Sequence, residues 1–327
     1  MSLAILAILA LCTACTQPTV PPTFIPSPAP TLTPSPTPEP KTLVVCLPDE
    51  PDSLYIYGTD DLAAQHVWQV IYDGPLDNRN YAYQPVILTS LPSLADGAAA
   101  VETVIIQTGD RVFATNGEVV KLATGVTVED ASGQRVAFDG APILMQQMVV
   151  TFTLHSDLYW SDGAPLTADD SVFSFELAAD PATRTGKHIV ERTAGYHAVD
   201  ARTVVWSGIP GFLDHAYFLN FWHPLPRHAW GHLSAAELLS ADVATRQPLG
   251  WGPFVVREWV DGDHITAVRN PIYFRATEGL PRVDEVTFRF ITDPVTLAGE
   301  LMAGRCDVVT HDGADAVRGA LPDQSQV

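Results

Sequence analysis

The chain has 327 residues, of which 46% are hydrophobic and 17% are charged. This composition supplies enough apolar surface for a two-domain core and excludes global disorder. The formal net charge is −20 and no run of Lys or Arg occurs. Such a charge repels phosphate backbones, so we predict no nucleic-acid partner.

Residues 1–15 have the features of an export signal. Residues 1–11 are MSLAILAILAL, an apolar run that is shorter than the roughly 20 residues a membrane span needs. Its length is that of the hydrophobic region of a signal peptide. Small residues then precede Cys15, as in a bacterial lipobox. We predict a lipoprotein signal peptide over 1–15 with lipidation at Cys15, and a plain secretory signal is the alternative.

Residues 16–40 form a Pro/Thr-rich segment in which ten residues are Pro. Proline fixes φ and lacks a backbone donor, so neither helix nor sheet is expected here. The composition predicts an extended, polyproline-II-like tether between the membrane and the folded part. Because Cys15 would anchor this tether, we expect an extracytoplasmic protein that contacts the cell membrane through its lipid only.

The folded part begins with a strand, a loop and a helix. Residues 42–47, TLVVCL, are an apolar run after the initial Thr42, as in a buried strand, and residues 61–72 have the three- and four-residue apolar spacing of a helix. This order is typical of an open α/β domain, in which ligands lie at the carboxyl ends of strands. The loop over 48–58 is therefore the first place to expect a binding site.

Residues 101–154 indicate a β-rich region of short strands separated by turns. Asn116-Gly117 is a strong hairpin signal, and Ser132-Gly133 and Asp139-Gly140 mark further turns. Next, Thr167 is a suitable N-cap for a helix over 168–179, with Asp169 and Asp170 in its first turn. We interpret these acidic residues, and the turn over 160–163 before them, as structural.

The remaining elements are predicted from apolar pattern and turn residues. Strands are expected at 199–207, 254–259, 263–269, 286–291 and 306–310, and helices at 234–241 and 294–303. Cys46 and Cys306 lie in two of the predicted strands. We predict that they are buried free thiols; a disulfide is the alternative, which an extracytoplasmic location permits but strand geometry seldom allows.

Several segments together resemble the family 5 solute-binding proteins of ABC transporters, which include oligopeptide-, dipeptide- and nickel-binding proteins. They occur in the family's order over residues 42–327, and the two most specific are WSDGAPLTADD at 160–170 and GWGPF at 250–254, the latter leading to RNPIYF at 269–274. The resemblance implies the first lobe of a type II periplasmic-binding-protein-like fold. That lobe is a discontinuous α/β domain with an inserted β-rich domain. Members are longer, so we expect a truncated chain whose second lobe is largely missing.

The resemblance also implies domain boundaries. The α/β lobe is expected to consist of residues 41–72 and 227–327, and the inserted β-rich domain of residues 73–226. The ligand would enter the cleft between the two lobes, which close on it about a hinge.

Two segments supply the candidate ligand-binding residues: the loop after the first strand, and the Trp251 segment. A carboxylate in the loop would accept from a ligand amine, and the tryptophan would stack on a ligand. A turn-forming role for the former and a core position for the latter are the alternatives. The candidates are Asp52, Ser53, Tyr55, Trp251, Gly252 and Pro253, with Pro51 and Tyr57 as further residues of the same loop.

The function implied is the capture of a solute, most simply a peptide, for an ABC permease with a cytoplasmic ATPase. We expect a monomer with no catalytic residue, no cofactor and no metal. The motifs G-x-S-x-G and H-E-x-x-H are absent, and His228 and His232 have helical spacing but lack a nearby third metal ligand. A surface binding or sensory module without a transporter, or a non-functional gene fragment, are the alternatives.

Overall fold

A computed structural model describes residues 40–320, and residues 1–39 and 321–327 lie outside the described part. The predictions for the signal peptide, Cys15 and nearly all of the tether fall in that outer part. The strands of the described part are β1 (Thr42–Leu47), β2 (Leu76–Arg79), β3 (Ala82–Pro85), β4 (Ala99–Ile106), β5 (Arg111–Phe113), β6 (Val119–Lys121), β7 (Thr127–Glu129), β8 (Arg135–Ala137), β9 (Ile143–Thr153), β10 (Thr193–Asp200), β11 (Thr203–Gly208), β12 (Phe254–Val260), β13 (His264–Arg269), β14 (Glu285–Phe290) and β15 (Val308–Val309).

Helices alternate with some of these strands. They are α1 (Leu62–Ile71), α2 (Ala168–Ala179), α3 (His188–Glu191), α4 (Arg227–Trp230), α5 (Ala235–Leu238), α6 (Asp242–Thr245), α7 (Pro294–Met302) and α8 (His311–Ala320), with short 3₁₀ turns at Tyr217–Leu219 and Ala276–Glu278. The N-cap predicted for α2 is in place, because the Asp170 carboxylate accepts from the backbone N–H of Thr167 at 2.8 Å.

A five-stranded sheet of order β12-β13-β14-β1-β15 combines strands from two distant stretches of the chain. β1 pairs in parallel with both β14 and β15, while the β12–β13 and β13–β14 pairs are antiparallel. The carboxyl ends of the three parallel strands therefore share one edge of the sheet. The loops that lead into α1, α7 and α8 all begin at this edge.

Both faces of β1 are covered, which explains its unbroken apolar sequence. Val45 and Leu47 face the main hydrophobic core, whereas Val44 and Cys46 face Leu297 of α7. The main core continues beyond this sheet, since it also contains residues of β9 and β11. One buried core thus links the two principal sheets within the described residues.

The second principal sheet is antiparallel, with order β10-β11-β9-β4. Between β4 and β9 the chain forms the hairpins β5–β6 and β7–β8, and these pack around a small core of their own that includes Val112, Val128 and Phe138. Asn116-Gly117 lies in the turn of the first hairpin, where Gly117 has a φ of 86°. The predicted β-rich region is therefore confirmed. The boundaries at 72/73 and 226/227 stay a prediction.

The predicted start of the strand at 199–207 was wrong. Strand β11 begins at Thr203, because Asp200 and Arg202 form the tight turn of the β10–β11 hairpin. The Asp200 carboxylate accepts from the backbone N–H of Arg202 at 2.8 Å, which stabilises the turn. The pattern of apolar residues extends through this turn and therefore conceals it.

Cys46 and Cys306 form a disulfide, so the prediction of free thiols was wrong. The packing after α7 explains the pairing, since Cys46 and Cys306, which lies between α7 and β15, belong to the same buried cluster as Leu297 of α7. Asp307 fixes this approach, because its backbone N–H donates to the carbonyl of Val44 at 2.9 Å. The two Cα atoms are 5.8 Å apart, within the range that a disulfide spans.

Candidate binding cleft

The loop between β1 and α1 is held firmly to the helix that follows it. Asp61 caps α1 by accepting from the backbone N–H of Ala63 at 2.7 Å, and its other carboxylate oxygen accepts from the N–H of Asp52 at 3.1 Å. Trp68 of α1 donates its indole N–H to the carbonyl of Leu54 at 2.9 Å. The loop therefore presents a fixed surface at the carboxyl end of β1.

The segment after α2 provides a second surface, facing this loop. The ammonium group of Lys187 donates to the carbonyl of Asp180 at 2.8 Å and also to that of Ala178, which closes the end of α2. From the loop, the Tyr57 hydroxyl hydrogen-bonds with Ser174 Oγ of α2 at 2.7 Å. These contacts bring residues 184–186 next to the β1–α1 loop.

Two adjoining cavities lie between these surfaces. The first, which we call the loop cavity, has a volume of about 540 Å³ and is lined by residues 56–60, Gln65, Trp68 and 184–186. The second, which we call the aromatic cavity, has a volume of about 370 Å³ and is lined by Tyr57, Gly186, His188, Ile189 and 219–223. Tyr57 and Gly186 line both, so the two cavities meet at these residues.

The two cavities differ in charge. Asp60 and Arg184 place opposite charges on the wall of the loop cavity. By contrast, none of the described residues lining the aromatic cavity is Asp, Glu, Lys or Arg. Burial lowers the pKa of His223 to about 3, so its imidazole is neutral at pH 7. Burial also raises the pKa of Tyr57, whose hydroxyl is therefore neutral.

The loop residues predicted to bind ligand lie close to the cleft but not in its wall. Asp52 is exposed and lines neither cavity, while Ser53 is 8% exposed and accepts from the backbone N–H of Tyr55. Tyr55 is 1% exposed and packs edge-on against Trp230. Of the loop residues that the sequence singled out, Tyr57 is the one that lines the cavities. Ligand binding by Asp52, Ser53 and Tyr55 stays a prediction.

The Trp251 segment packs into the core. Trp251 is 1% exposed and donates its indole N–H to the carbonyl of Asp73 at 2.9 Å, and its ring contacts Trp160. Gly252 lies against the backbone of Ile71, to whose carbonyl it donates at 2.9 Å. Pro253 accepts from the backbone N–H of Asn270. Trp251, Gly252 and Pro253 line neither cavity, so we leave them out of the proposed site.

Residues 184–186 and 219–223 line the two cavities, yet the sequence did not single them out. A local signal existed for each: 184–186 follow the end of a predicted helix, and 218–223 are rich in aromatic residues. Neither signal indicates that the two segments meet. Their approach to the β1–α1 loop depends on the packing of α2 between distant parts of the chain.

Another concavity, of about 670 Å³, lies between the β2–β3 hairpin, residues 155–157 and Phe274, Arg275 and Glu278. It is larger than either cavity of the cleft. It is remote from the carboxyl edge of the parallel strands, however, where open α/β sheets place their ligands. We therefore take the loop cavity and the aromatic cavity as the candidate site.

The two histidines with helical spacing do not form a metal site in the described residues. Helix α4 ends at Trp230, before His232, and His228 Nε2 lies 2.7 Å from a carboxylate oxygen of Asp162. Within residues 40–320, no group of three or more His, Cys, Asp or Glu side chains is arranged to hold a metal ion. None of the helices in this range is both long and apolar enough to cross a membrane.

Comparison with known proteins identifies the family. Residues 146–323, more than half of the chain, match the bacterial extracellular solute-binding proteins, family 5 (middle region). The chain belongs to this family. Its members are extracellular binding proteins, and the resemblance drawn from the WSDG and GWGPF segments is confirmed.

Individual relatives agree with this assignment. The chain is 27% identical over 233 residues to the oligopeptide-binding protein AppA of Bacillus subtilis. This match covers 68% of this chain and 38% of AppA. The oligopeptide-binding protein of Thermus thermophilus, solved with a pentapeptide, has a TM-score of 0.60 at 18% identity and covers 82% of this chain and 44% of its own. The ABC transporter substrate binding protein CtaP of Listeria monocytogenes has a TM-score of 0.57 at 19% identity. That match covers 84% of this chain and 46% of CtaP.

These structures confirm the expected fold, a periplasmic-binding-protein-like α/β lobe. The chain spans about a third of the length of the curated relatives that it matches.

Proposed function

We propose that this chain forms one wall of a solute-binding cleft that captures a peptide for an ABC importer. The observation that carries the proposal is the pair of adjoining cavities beside the loop after β1, in a chain of this family. That position is where open α/β folds bind ligands. Extracellular capture also agrees with the disulfide between Cys46 and Cys306, since such bonds persist in oxidising compartments.

A peptide is the solute that the chemistry of the loop cavity favours. Asp60 offers a carboxylate to a peptide amine, and Arg184 offers a guanidinium to a peptide carboxylate. The fixed β1–α1 loop supplies polar backbone groups, which recognise an extended peptide independently of its side chains. The relatives named as oligopeptide-binding proteins support the same class of solute.

The proposed mechanism involves binding and closure without bond breaking. A peptide first contacts this wall, and an opposing lobe then closes over it about a hinge. The closed form would dock on a permease whose ATPase drives import. We further propose that the protein acts as a monomer, with residues 73–226 as the inserted domain of the lobe, and that lipid on Cys15 holds it near the permease.

The test is a titration of the full chain with the tetrapeptide Ala-Phe-Ala-Ala, followed by ¹H–¹⁵N NMR spectra. We expect the backbone signals of 56–60 and 184–186 to shift. In the variant Asp60→Lys, affinity should fall about tenfold or more, because a hydrogen bond to a charged group contributes about 1.5–3 kcal/mol.

Asp49→Lys is the matched control, since Asp49 is an exposed residue of the same loop that lines neither cavity. This variant changes the net charge equally and should bind as the wild type does. Equal losses in the two variants, or no shift at the loop cavity, would contradict the proposal.

A further inference from the structure

We infer that the aromatic cavity is a side-chain subsite that selects an uncharged aromatic or branched aliphatic side chain of the bound peptide. This inference rests on the proposed function, because the peptide backbone must occupy the adjoining loop cavity. The two cavities meet at Tyr57 and Gly186. A side chain that leaves the backbone at this point enters the aromatic cavity directly.

The wall of the subsite is rigid. The backbone N–H of Trp222 donates to the Tyr196 hydroxyl at 3.0 Å, and the Trp222 carbonyl accepts from Ser171 at 2.5 Å. The Trp222 ring packs edge-on against Phe175 and Tyr196, with centroids 4.8 and 5.0 Å away. An aromatic wall held on several sides loses little freedom when a ligand binds, which favours affinity.

The wall is mainly apolar and contains no Asp, Glu, Lys or Arg, with Asn220 and His188 as polar residues beside His223. Ile189, Leu219 and Phe221 supply aliphatic and aromatic surface next to Trp222. His223 is neutral, and its Nε2 is buried with no hydrogen-bond partner among the described residues. A charged ligand side chain would lose its hydration here and gain no opposite charge in return.

The subsite is large enough to admit any single side chain, an indole included. Its volume of about 370 Å³ is near the lower end of the range for small-molecule sites. The rim is open at Gly186, because a Cβ built there would meet nothing within 4 Å. A peptide therefore has room to pass the rim without displacing protein atoms.

The experiment measures the affinities of the full chain for alanine tetrapeptides that carry one Phe, Leu, Asp or Lys, placed at each position in turn. At one position, Phe and Leu should bind at least tenfold more tightly than Asp and Lys, a difference of about 1.4 kcal/mol. Leu219→Asp should remove that preference, measured as the ratio of the affinities for the Phe and Asp peptides. Leu219 is suitable because it lines the cavity and is 39% exposed, so the fold tolerates the change.

Val243→Asp is the control, since Val243 is 49% exposed on α6 and lines neither cavity. It should keep the wild-type preference. If peptides shift the signals of 56–60 but bind equally whatever the side chain, or if Leu219→Asp keeps the preference, the subsite is refuted while the proposed function stands. If no tetrapeptide shifts those signals, the proposed function fails and the subsite fails with it.

Discussion

Gly250 and Gly252 show how a single side-chain carbon decides packing in this lobe. A Cβ on Gly250 would lie 1.9 Å from the carbonyl oxygen of Ile71, and one on Gly252 would lie 2.6 Å from the carbonyl carbon of the same residue. Both glycines therefore let the 250–253 segment lie directly on the end of α1. The GWGPF pattern that helped to identify the family therefore allows close backbone contact with α1 in this chain.

We expect Gly250→Ala to lower the free energy of unfolding by about 1–3 kcal/mol, the usual cost of forcing extra atoms into a packed core. The measurement is urea unfolding followed by circular dichroism. Gly299→Ala serves as the control, because Gly299 lies in α7 and a Cβ there meets nothing within 4 Å. That change should raise the free energy of unfolding by about 0.5–1 kcal/mol, and a similar loss in both variants would contradict the packing argument.

His223 makes stability depend on pH. Burial lowers the pKa of its imidazole from 6.5 to about 3 in the folded state. Below pH 6.5 the unfolded chain therefore binds a proton that the folded chain does not bind until about pH 3, and stability falls as the pH falls through this window.

We expect the urea midpoint of the wild type to fall more between pH 7.5 and pH 5 than that of His223→Gln, because glutamine at position 223 does not titrate. Parallel pH profiles for the two proteins would show that His223 is protonated in the fold as readily as in the unfolded chain.

At the scale of an element, the segment from Trp160 to Asp170 is held in place by one buried carboxylate. Asp170 in the first turn of α2 is buried, and its carboxylate accepts from the indole N–H of Trp160 at 3.2 Å and from the backbone N–H of Arg227 at 3.0 Å. Burial raises the pKa of Asp170, and these hydrogen bonds oppose the rise. One carboxylate thus joins the turn, α2 and α4.

Asp170→Asn should lower the free energy of unfolding by about 1.5–3 kcal/mol, because hydrogen bonds to a buried charged group are lost or left unpaired. Asp169→Asn is the neighbouring control. Asp169 lies in the same helical turn but is less buried, so its loss removes only the interaction with the helix dipole, about 0.3–1 kcal/mol. Comparable urea midpoints for the two variants would show that Asp170 does not link these elements.

Elements that depend on local pattern agreed closely between sequence and structure. Helix α2 and strand β1 have the predicted bounds, because an N-cap and an unbroken apolar run are properties of a few adjacent residues. The strand predicted at 199–207 after a tight turn begins at Thr203 instead, because the turn itself lies at 201–202. Strand β15 is shorter than predicted for a different reason, since only Val308 and Val309 find partners on β1.

At the scale of the whole molecule, the disulfide joins the first strand of the lobe to the region before its last strand. Cys46 and Cys306 are 260 residues apart, so the bond closes a loop that includes nearly all of the described chain. Closing a long loop reduces the entropy of the unfolded chain, which is the main way a disulfide stabilises a fold.

Replacing both cysteines by alanine should lower the free energy of unfolding by about 2–5 kcal/mol. A reductant should have a similar effect on the wild type and should leave the double variant unchanged, which separates this bond from any effect at Cys12 or Cys15. Urea unfolding with and without reductant provides the measurement. If full reduction left the urea midpoint of the wild type unchanged, the disulfide would not stabilise the fold.

The sequence by itself determined the strands and helices with strong local patterns and the family to which the chain belongs, since both are encoded in short runs of residues. The tertiary structure decided which residues line the cleft, which ones are hidden in the core and which cysteines meet. Trp251 and Tyr55 have side chains suited to binding, yet packing from distant segments covers them. Residues 184–186 and 219–223 gained their place in the cleft wall in the same way, because a cavity is a property of segments that fold together from far apart.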